Sequence, residues 1–302
     1  MENEVTFILI SSVMVWSDTE IPTPTEPEQR AEADMTGPTG DGSSHSEAAE
    51  ESGSVAEEGA SVTEEAPEAE EEPREPDVVL PPDLLRDVDF ERRKPAPGSV
   101  FEQWKDMEDL VMRCFKHDGC KVKSFVVAGG VLYGSGEDTF VQLFKNAWLG
   151  RPAPDLQASG RNRIPTVHVR DLARLVRTVG LGSAELDPHE KQYYLAVDTP
   201  PSLEGGYPGP STQEAIIQGI VNEVCGPGAV PWDTNMAMLA ADSDELQTTP
   251  PELQEALSLD LLMEPSRVML EQEFADMCIP SGWLCREGLV ANLAAVASEF
   301  CE

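Results

Sequence analysis

Val5-Thr-Phe-Ile-Leu-Ile-Ser-Ser12 carries five apolar residues in its first six and no polar alternation. A strand with one wet face alternates apolar and polar positions, whereas a strand buried on both faces reads as a continuous apolar run. This stretch therefore predicts a strand inside a parallel sheet. Such strands sit mid-sheet, yet this one begins four residues into the chain. The expectation is an α/β domain entered halfway, with the half that would carry a nucleotide-binding glycine loop lying upstream. A strand left without that neighbour presents an unprotected apolar edge from Val5 to Ile10, which predicts self-association or a partner strand.

Working outward, strand and helix signals alternate, as a parallel α/β fold requires. Phe101, Trp104, Leu110/Val111 and Cys114/Phe115 recur at helical spacing, and His117-Asp-Gly119 ends that helix. Val122 to Tyr133 (VKSFVVAGGVLY) reads as a second buried strand closed by Gly134 and Gly136. Helices are expected over Phe140 to Leu149, Leu172 to Val179, Thr212 to Val224, Pro251 to Leu262 and Arg286 to Phe300. Strands are expected over Ile164 to Val169 and Tyr193 to Val197. Pro81-Pro82 and Asp83 open a short helix-like segment.

Between Ser17 and Val78 the chain holds twenty Asp and Glu against Arg30 and Arg74, and no aromatic residue. Such a segment buries too little apolar surface to offset the entropy of ordering, and it reads as a disordered acidic insert. The organisation expected is a first strand in 1–16, the insert in 17–78, the rest of the domain in 79–199, and a small helical extension in 200–302. The formal charge of −35 argues against nucleic acid, because neutralising phosphate needs clustered Lys and Arg. Cys114, Cys120, Cys225, Cys278, Cys285 and Cys301 form no CxxC and no disulfide-framework spacing, which fits a reducing compartment. Residues 5–16 are too few to span a membrane, so a soluble, cytoplasmic protein is expected.

Arg163-Ile-Pro-Thr-Val-His-Val-Arg-Asp-Leu-Ala173 resembles the HV-x-D-x-A stretch of extended short-chain dehydrogenases of the nucleotide-sugar epimerase type. Val131-Leu-Tyr-Gly-Ser-Gly136 is similar to that family's YG-x-G turn. Ile8-Leu-Ile-Ser-Ser-Val-Met-Val-Trp16, Arg92-Arg-Lys-Pro95, Val126-Val-Ala-Gly-Gly130 and Lys145-Asn-Ala-Trp-Leu-Gly150 more closely resemble the N-terminal Rossmann-like domain of the ciliary adenylate kinase 7 family, in order and spacing. The likeness covers 5–16 and 79–180. It implies an incomplete Rossmann-like parallel sheet with flanking helices, axonemal protein partners, a place in the cilium or flagellum, and a link to nucleoside monophosphate phosphorylation.

Active dehydrogenases of this type use a Ser after one strand and a Tyr-x-x-x-Lys pair, with the Tyr transferring a proton. Ser12 or Ser11 matches the first, so Ser12 stands as a vestigial candidate. The pair is absent: one register sets Val100 and Trp104 at its positions, the other Phe101 and Lys105. The pattern Gly37-Pro-Thr-Gly40 lies in the acidic insert with no strand before it, and no G-x-x-x-x-G-K-[ST] occurs in the chain. No catalytic residue, no cofactor site and no metal are therefore expected. Cys114-x-x-His117-x-x-Cys120 lacks the fourth ligand of a structural zinc, leaving a buried Cys114, an exposed His117 and a loop Cys120. Asp171 is expected to cap the following helix, with His168 at a strand end. Phe140, Phe144 and Trp148 fall on one helical face and predict core packing. The reading is a non-catalytic interaction or scaffold module. The alternatives are a fragment of an NAD(P)-dependent epimerase or reductase, and a nucleotide-sensing module.

Overall fold

The computed structural model describes residues 5–20, 81–114, 122–137, 139–151, 160–184, 186–200, 209–229, 250–266 and 285–299. The described residues all lie in one compact unit. Residues 21–78 of the acidic insert, with Gly37 to Gly40, fall outside them, as do His117, Cys120 and the resumption of order at Val78 to Leu80.

Three parallel strands form the central sheet. β1 (Val5–Ser12) pairs along all eight residues with β3 (Val122–Gly129), whose Val126 to Gly129 pair with β7 (Tyr193–Ala196) on the other side. The order β1-β3-β7 places the continuous apolar run of β3 in the middle. Its alternate side chains feed two cores. Val126 and Ala128 join a cluster with Val111 and Met112 of α1 (Phe101–Cys114), while Phe125 and Val127 join Leu172, Leu175 and Val179 of α3 (Val169–Leu181). That two-sided burial is why β3 shows no polar alternation.

β1 occupies the edge, and among the described residues no strand pairs with its outer side. Val5, Phe7 and Ile10 are about half exposed there, at 55%, 48% and 51%.

The stretch Val122 to Tyr133, expected as one strand, is two. Gly130 ends β3 and donates to Ala196 C=O, and β4 (Val131–Tyr133) then pairs with β6 (Thr166–His168). A Cβ at Gly130 would stand 2.8 Å from Pro165 O and 2.8 Å from the Thr166 carbonyl carbon, so the chains approach this closely only with glycine. Likewise Ile164 to Val169 is split by Pro165 into β5 (Arg163–Ile164) and β6.

Helical boundaries follow the sequence with informative departures. α2 is Val141–Trp148, and α4 (Gln213–Cys225) begins under a Thr212 side-chain cap and ends at Gly226. The expected helix to Leu262 stops early: α5 is Pro251–Leu257, and the chain straightens into β9 (Leu262–Met263), which pairs with β2 (Leu84–Leu85). The segment after Pro81-Pro82 is thus a short strand, followed by a 3-10 turn over Asp87–Arg92. The last expected helix is interrupted at Asn292, giving α6 (Gly288–Ala291) and α7 (Leu293–Glu299). β8 (Ser211–Thr212) pairs antiparallel with β5, so the C-terminal part contributes strands as well as helices to the body.

Trp148 is a correction. Phe140 and Phe144 are buried as expected, but Trp148 is 72% exposed. Eight residues on from Phe140 at about 3.6 per turn, it has rotated roughly 80° off the buried face. Cys114, expected to be buried, is also exposed at the last position of α1. Ser17 to Glu20, read as the start of the insert, are held: Asp18 N–H donates to Lys94 C=O, and Ser17 Oγ and Thr19 Oγ1 accept from the Ala96 and Lys94 amides.

Candidate functional site

Open α/β sheets bind ligands beyond the carboxyl ends of their strands. A cleft of about 510 Å³ lies at that position here. Ile10, Ser11 and Ser12 from the end of β1 line it with Gly129 and Gly130 from the end of β3. Val100, Phe101 and Trp104, at the start of α1, form a wall, and Glu252, Glu255 and Ala256 of α5 close another side.

Ser12 is half-buried in this cleft, and its Oγ accepts from the Met14 amide at 3.2 Å, capping the 3-10 turn Val13–Trp16. Its hydroxyl thus has a structural acceptor role. Of the two sequence registers for the missing Tyr-x-x-x-Lys pair, Val100 and Trp104 both face the cleft. In the other, Phe101 faces it and packs edge-to-face on Trp104 at 5.6 Å, whereas Lys105 does not line it; its Nζ bonds Asp109 Oδ2 at 2.9 Å. The described lining holds neither a phenol nor an ammonium, and no Lys or Arg.

Behind the cleft lies a buried polar network that the sequence reading did not identify. Arg93 Nε donates to Glu108 Oε2 at 2.6 Å, Arg93 Nη1 to Phe90 O at 2.6 Å, and Arg93 Nη2 to Asp109 Oδ1. Arg93 is 3% exposed and Glu108 0%. Tyr193 OH donates weakly to Glu108, at 3.4 Å from either oxygen, and accepts from Trp16 Nε1 at 3.0 Å. Phe90 stacks on Tyr193, and the Arg93 guanidinium lies over both rings. Burial pushes the Glu108 carboxyl above its usual range, against Ser11, Arg93 and Tyr193, which favour the charged form. The same burial disfavours a charged Arg93, but Glu108, Tyr193 and Asp109 outweigh it and hold the guanidinium protonated. The available signal was the position of Glu108, which shares the apolar stripe of α1 with Trp104 and Val111; a charge there demands a partner.

His168 and Asp171 form no acid–base pair. His168, not Asp171, caps α3, its Nδ1 accepting from the Arg170 amide at 3.1 Å. The correction has a simple cause: the helix starts at Val169, three residues earlier than expected, so Asp171 lies inside its first turn. There Asp171 Oδ2 accepts from the Cys285 amide at 2.8 Å and Oδ1 faces Arg174. Burial lowers the His168 pKa, with Asp171 opposing it. Asp198, nearby, accepts from Thr166 Oγ1 at 3.0 Å, and burial holds its carboxyl well above the usual range. Burial together with Asp171 and Asp198 pushes the Cys285 thiol up to about 11, which disfavours the thiolate. Gly134 has φ +78°, and a Cβ there would stand 2.2 Å from His168 Nε2, so the turn after β4 needs glycine on both counts.

Among the described residues no group of three or more His, Cys, Asp or Glu is arranged to hold a metal ion, and no helix is long and apolar enough to cross a membrane.

No family model matches the chain. Over 219 residues it is 28% identical to adenylate kinase 7 of Mus musculus, covering 71% of this chain and 30% of the relative. Over 93 residues it is 39% identical to adenylate kinase 7 of Macaca fascicularis, covering 30% of this chain and 16% of the relative. The chain resembles part of adenylate kinase 7. It spans under a third of the length of these relatives. Among solved structures, human epimerase family protein SDR39U1 with NADPH aligns over 71% of this chain and 59% of its own, at 16% identity and a TM-score of 0.42. The PbgP3 protein from Burkholderia pseudomallei aligns over 72% of this chain and 64% of its own, at 11% identity and a TM-score of 0.34. The resemblance to adenylate kinase 7 expected from the sequence is thus found.

Proposed function

We propose that this chain is a non-catalytic, Rossmann-like interaction module of an adenylate kinase 7-like protein. The observation that supports this most directly is the cleft wall. Where short-chain dehydrogenases carry a proton-transferring Tyr and its Lys, the described wall offers Val100, Phe101 and Trp104. General acid–base catalysis needs a titratable group within hydrogen-bond reach of the reacting oxygen. None of these three side chains titrates, and Ser12 is engaged as a cap. The partners of this reading are proteins, a second copy through the β1 edge among them, with no nucleic acid and no membrane. The adenylate kinase 7 likeness attaches it to nucleoside monophosphate phosphorylation and to motile cilia and axonemes; both attachments rest on that likeness alone.

Calorimetric titration of the full chain with NAD(H) and NADP(H), followed by turnover assays with reduced nicotinamide, tests the reading. No measurable heat and no oxidation are expected. A micromolar dissociation constant would restore the nucleotide-sensing alternative, and turnover would restore the epimerase or reductase alternative. Localisation of the tagged chain in ciliated cells tests the axonemal part independently, and exclusion from the axoneme would overturn it.

A further inference from the structure

The cleft's chemistry selects its occupant. Its described lining is apolar and aromatic, with Phe101 and Trp104 on one wall, and its charged lining residues are Glu252 and Glu255, both solvent-exposed on α5. A site for an anionic ligand places cationic side chains against the charge; the described lining has none, and the carboxylates of Glu252 and Glu255 stand beside the first turns of α1 and α5 instead. The mouth is also continuous with open surface. Ile10 lines the cleft and belongs to the exposed edge of β1, and Val100 beside it is more than half exposed. A cavity whose rim merges with a free strand edge suits an extended chain that lies along the rim and drops one side chain inward.

We infer that this cleft docks an extended segment of a protein partner that carries a lysine or arginine among apolar residues. The cationic head meets Glu252 and Glu255, and its aliphatic stem lies against Trp104 and Phe101, an arrangement that combines cation–π attraction with burial of the stem. Electrostatic complementarity of this kind sets partner choice and association rate more than total affinity. This inference rests on the interaction-module reading and adds the partner's chemistry to it.

The test is selection from a displayed library of random dodecapeptides on the immobilised full chain. The acidic stretch between Ser17 and Val78 attracts cationic peptides by itself, so counter-selection uses the variant Glu252→Lys/Glu255→Lys, which retains that stretch. Both substituted residues are exposed, so the variant is expected to fold, and its melting curve checks this. Enrichment of peptides with Lys or Arg flanked by apolar residues is expected. Their affinity should fall about tenfold in the charge-reversed variant, consistent with two rim carboxylates. It should also fall in Trp104→Leu, and with added salt. No enrichment over the counter-selection, enrichment of acidic peptides, or binding indifferent to both variants would overturn the inference. NADP(H) binding by the same preparation would instead overturn the interaction-module reading, so the two failures are distinguishable.

Discussion

Replacing Arg93 with alanine strands a carboxylate. Glu108 is fully buried, and in the intact chain its charge is met by Arg93 Nε at 2.6 Å, with neutral hydroxyls of Ser11 and Tyr193 besides. Asp109 keeps Lys105 at 2.9 Å in the variant, so Glu108 bears the loss. Removing one partner of a buried ion pair costs about 3–5 kcal/mol, because the remaining charge is left without solvent or counterion. For a unit of this size each kcal/mol moves the melting temperature by about 2–4 °C, so Arg93→Ala should melt roughly 6–20 °C lower. The deficit should depend on pH in a definite direction. Burial already raises the Glu108 carboxyl above its ordinary range, and losing the guanidinium raises it further. A group whose folded pKa lies above its unfolded value destabilises when ionised and relaxes when protonated. The gap between wild type and variant should therefore be widest at neutral pH and shrink as pH falls through the folded value. A double variant, Arg93→Met/Glu108→Leu, should be more stable than Arg93→Ala, because it buries no unpaired charge. Thermal melts by circular dichroism across pH measure all three proteins. A pH-independent deficit, or a double variant no better than the single one, would show that Arg93 acts through packing and not through Glu108.

Three further expectations follow from the geometry. Gly130→Ala sets a Cβ 2.8 Å from Pro165 O, backbone that cannot step aside, so the unfolding free energy from denaturant titration should drop by about 1–3 kcal/mol, and an unchanged value would refute the close approach. His168→Asn keeps a cap acceptor for the Arg170 amide but cannot take up a proton. Because burial depresses the wild-type imidazole, the unfolded chain protonates first on acidification; wild type should lose more stability than the variant as pH falls below about 6.5, and parallel pH profiles would refute it. Phe7→Lys/Ile10→Lys places charge on the β1 edge and should shift the isolated chain from associated species toward monomer in light scattering. A wild-type monomer at tens of micromolar would sink that expectation.

The sheet was legible because its signal is composition: β3 is apolar where it is buried on both faces, whereas β1 carries a similar run at the edge of the sheet. The glycine at the β3–β4 junction was visible as Gly129-Gly130, but its meaning was not, since the clash that demands it comes from Pro165 and Thr166, more than thirty residues on. The start of α3 was misjudged by three residues, because His168 supplies the cap expected of Asp171. Ser12, Val100, Phe101 and Trp104, which line the cleft, are positions that the short-chain dehydrogenase resemblance had singled out. The cleft's acidic side could not be anticipated: Glu252 and Glu255 lie some 150 residues from Trp104, and only the packed structure brings α5 to the cleft. Arg93 and Glu108 were hidden for a related reason. Glu108 stands out on the apolar stripe of α1, but nothing local to Arg93 marks it as the partner.

The anchoring of Ser17 to Glu20 onto Arg92, Lys94 and Ala96 has an evolutionary corollary. Glu20 is fastened to the body by Arg92, and Leu84–Leu85 is fastened by β9, so the described chain on either side of 21–80 is held in the same body. Insertions or deletions within 21–80 leave each of these anchors in place. Selection for the domain's stability should therefore act on Ser17, Arg92 and Lys94 more than on the length of the sequence between them.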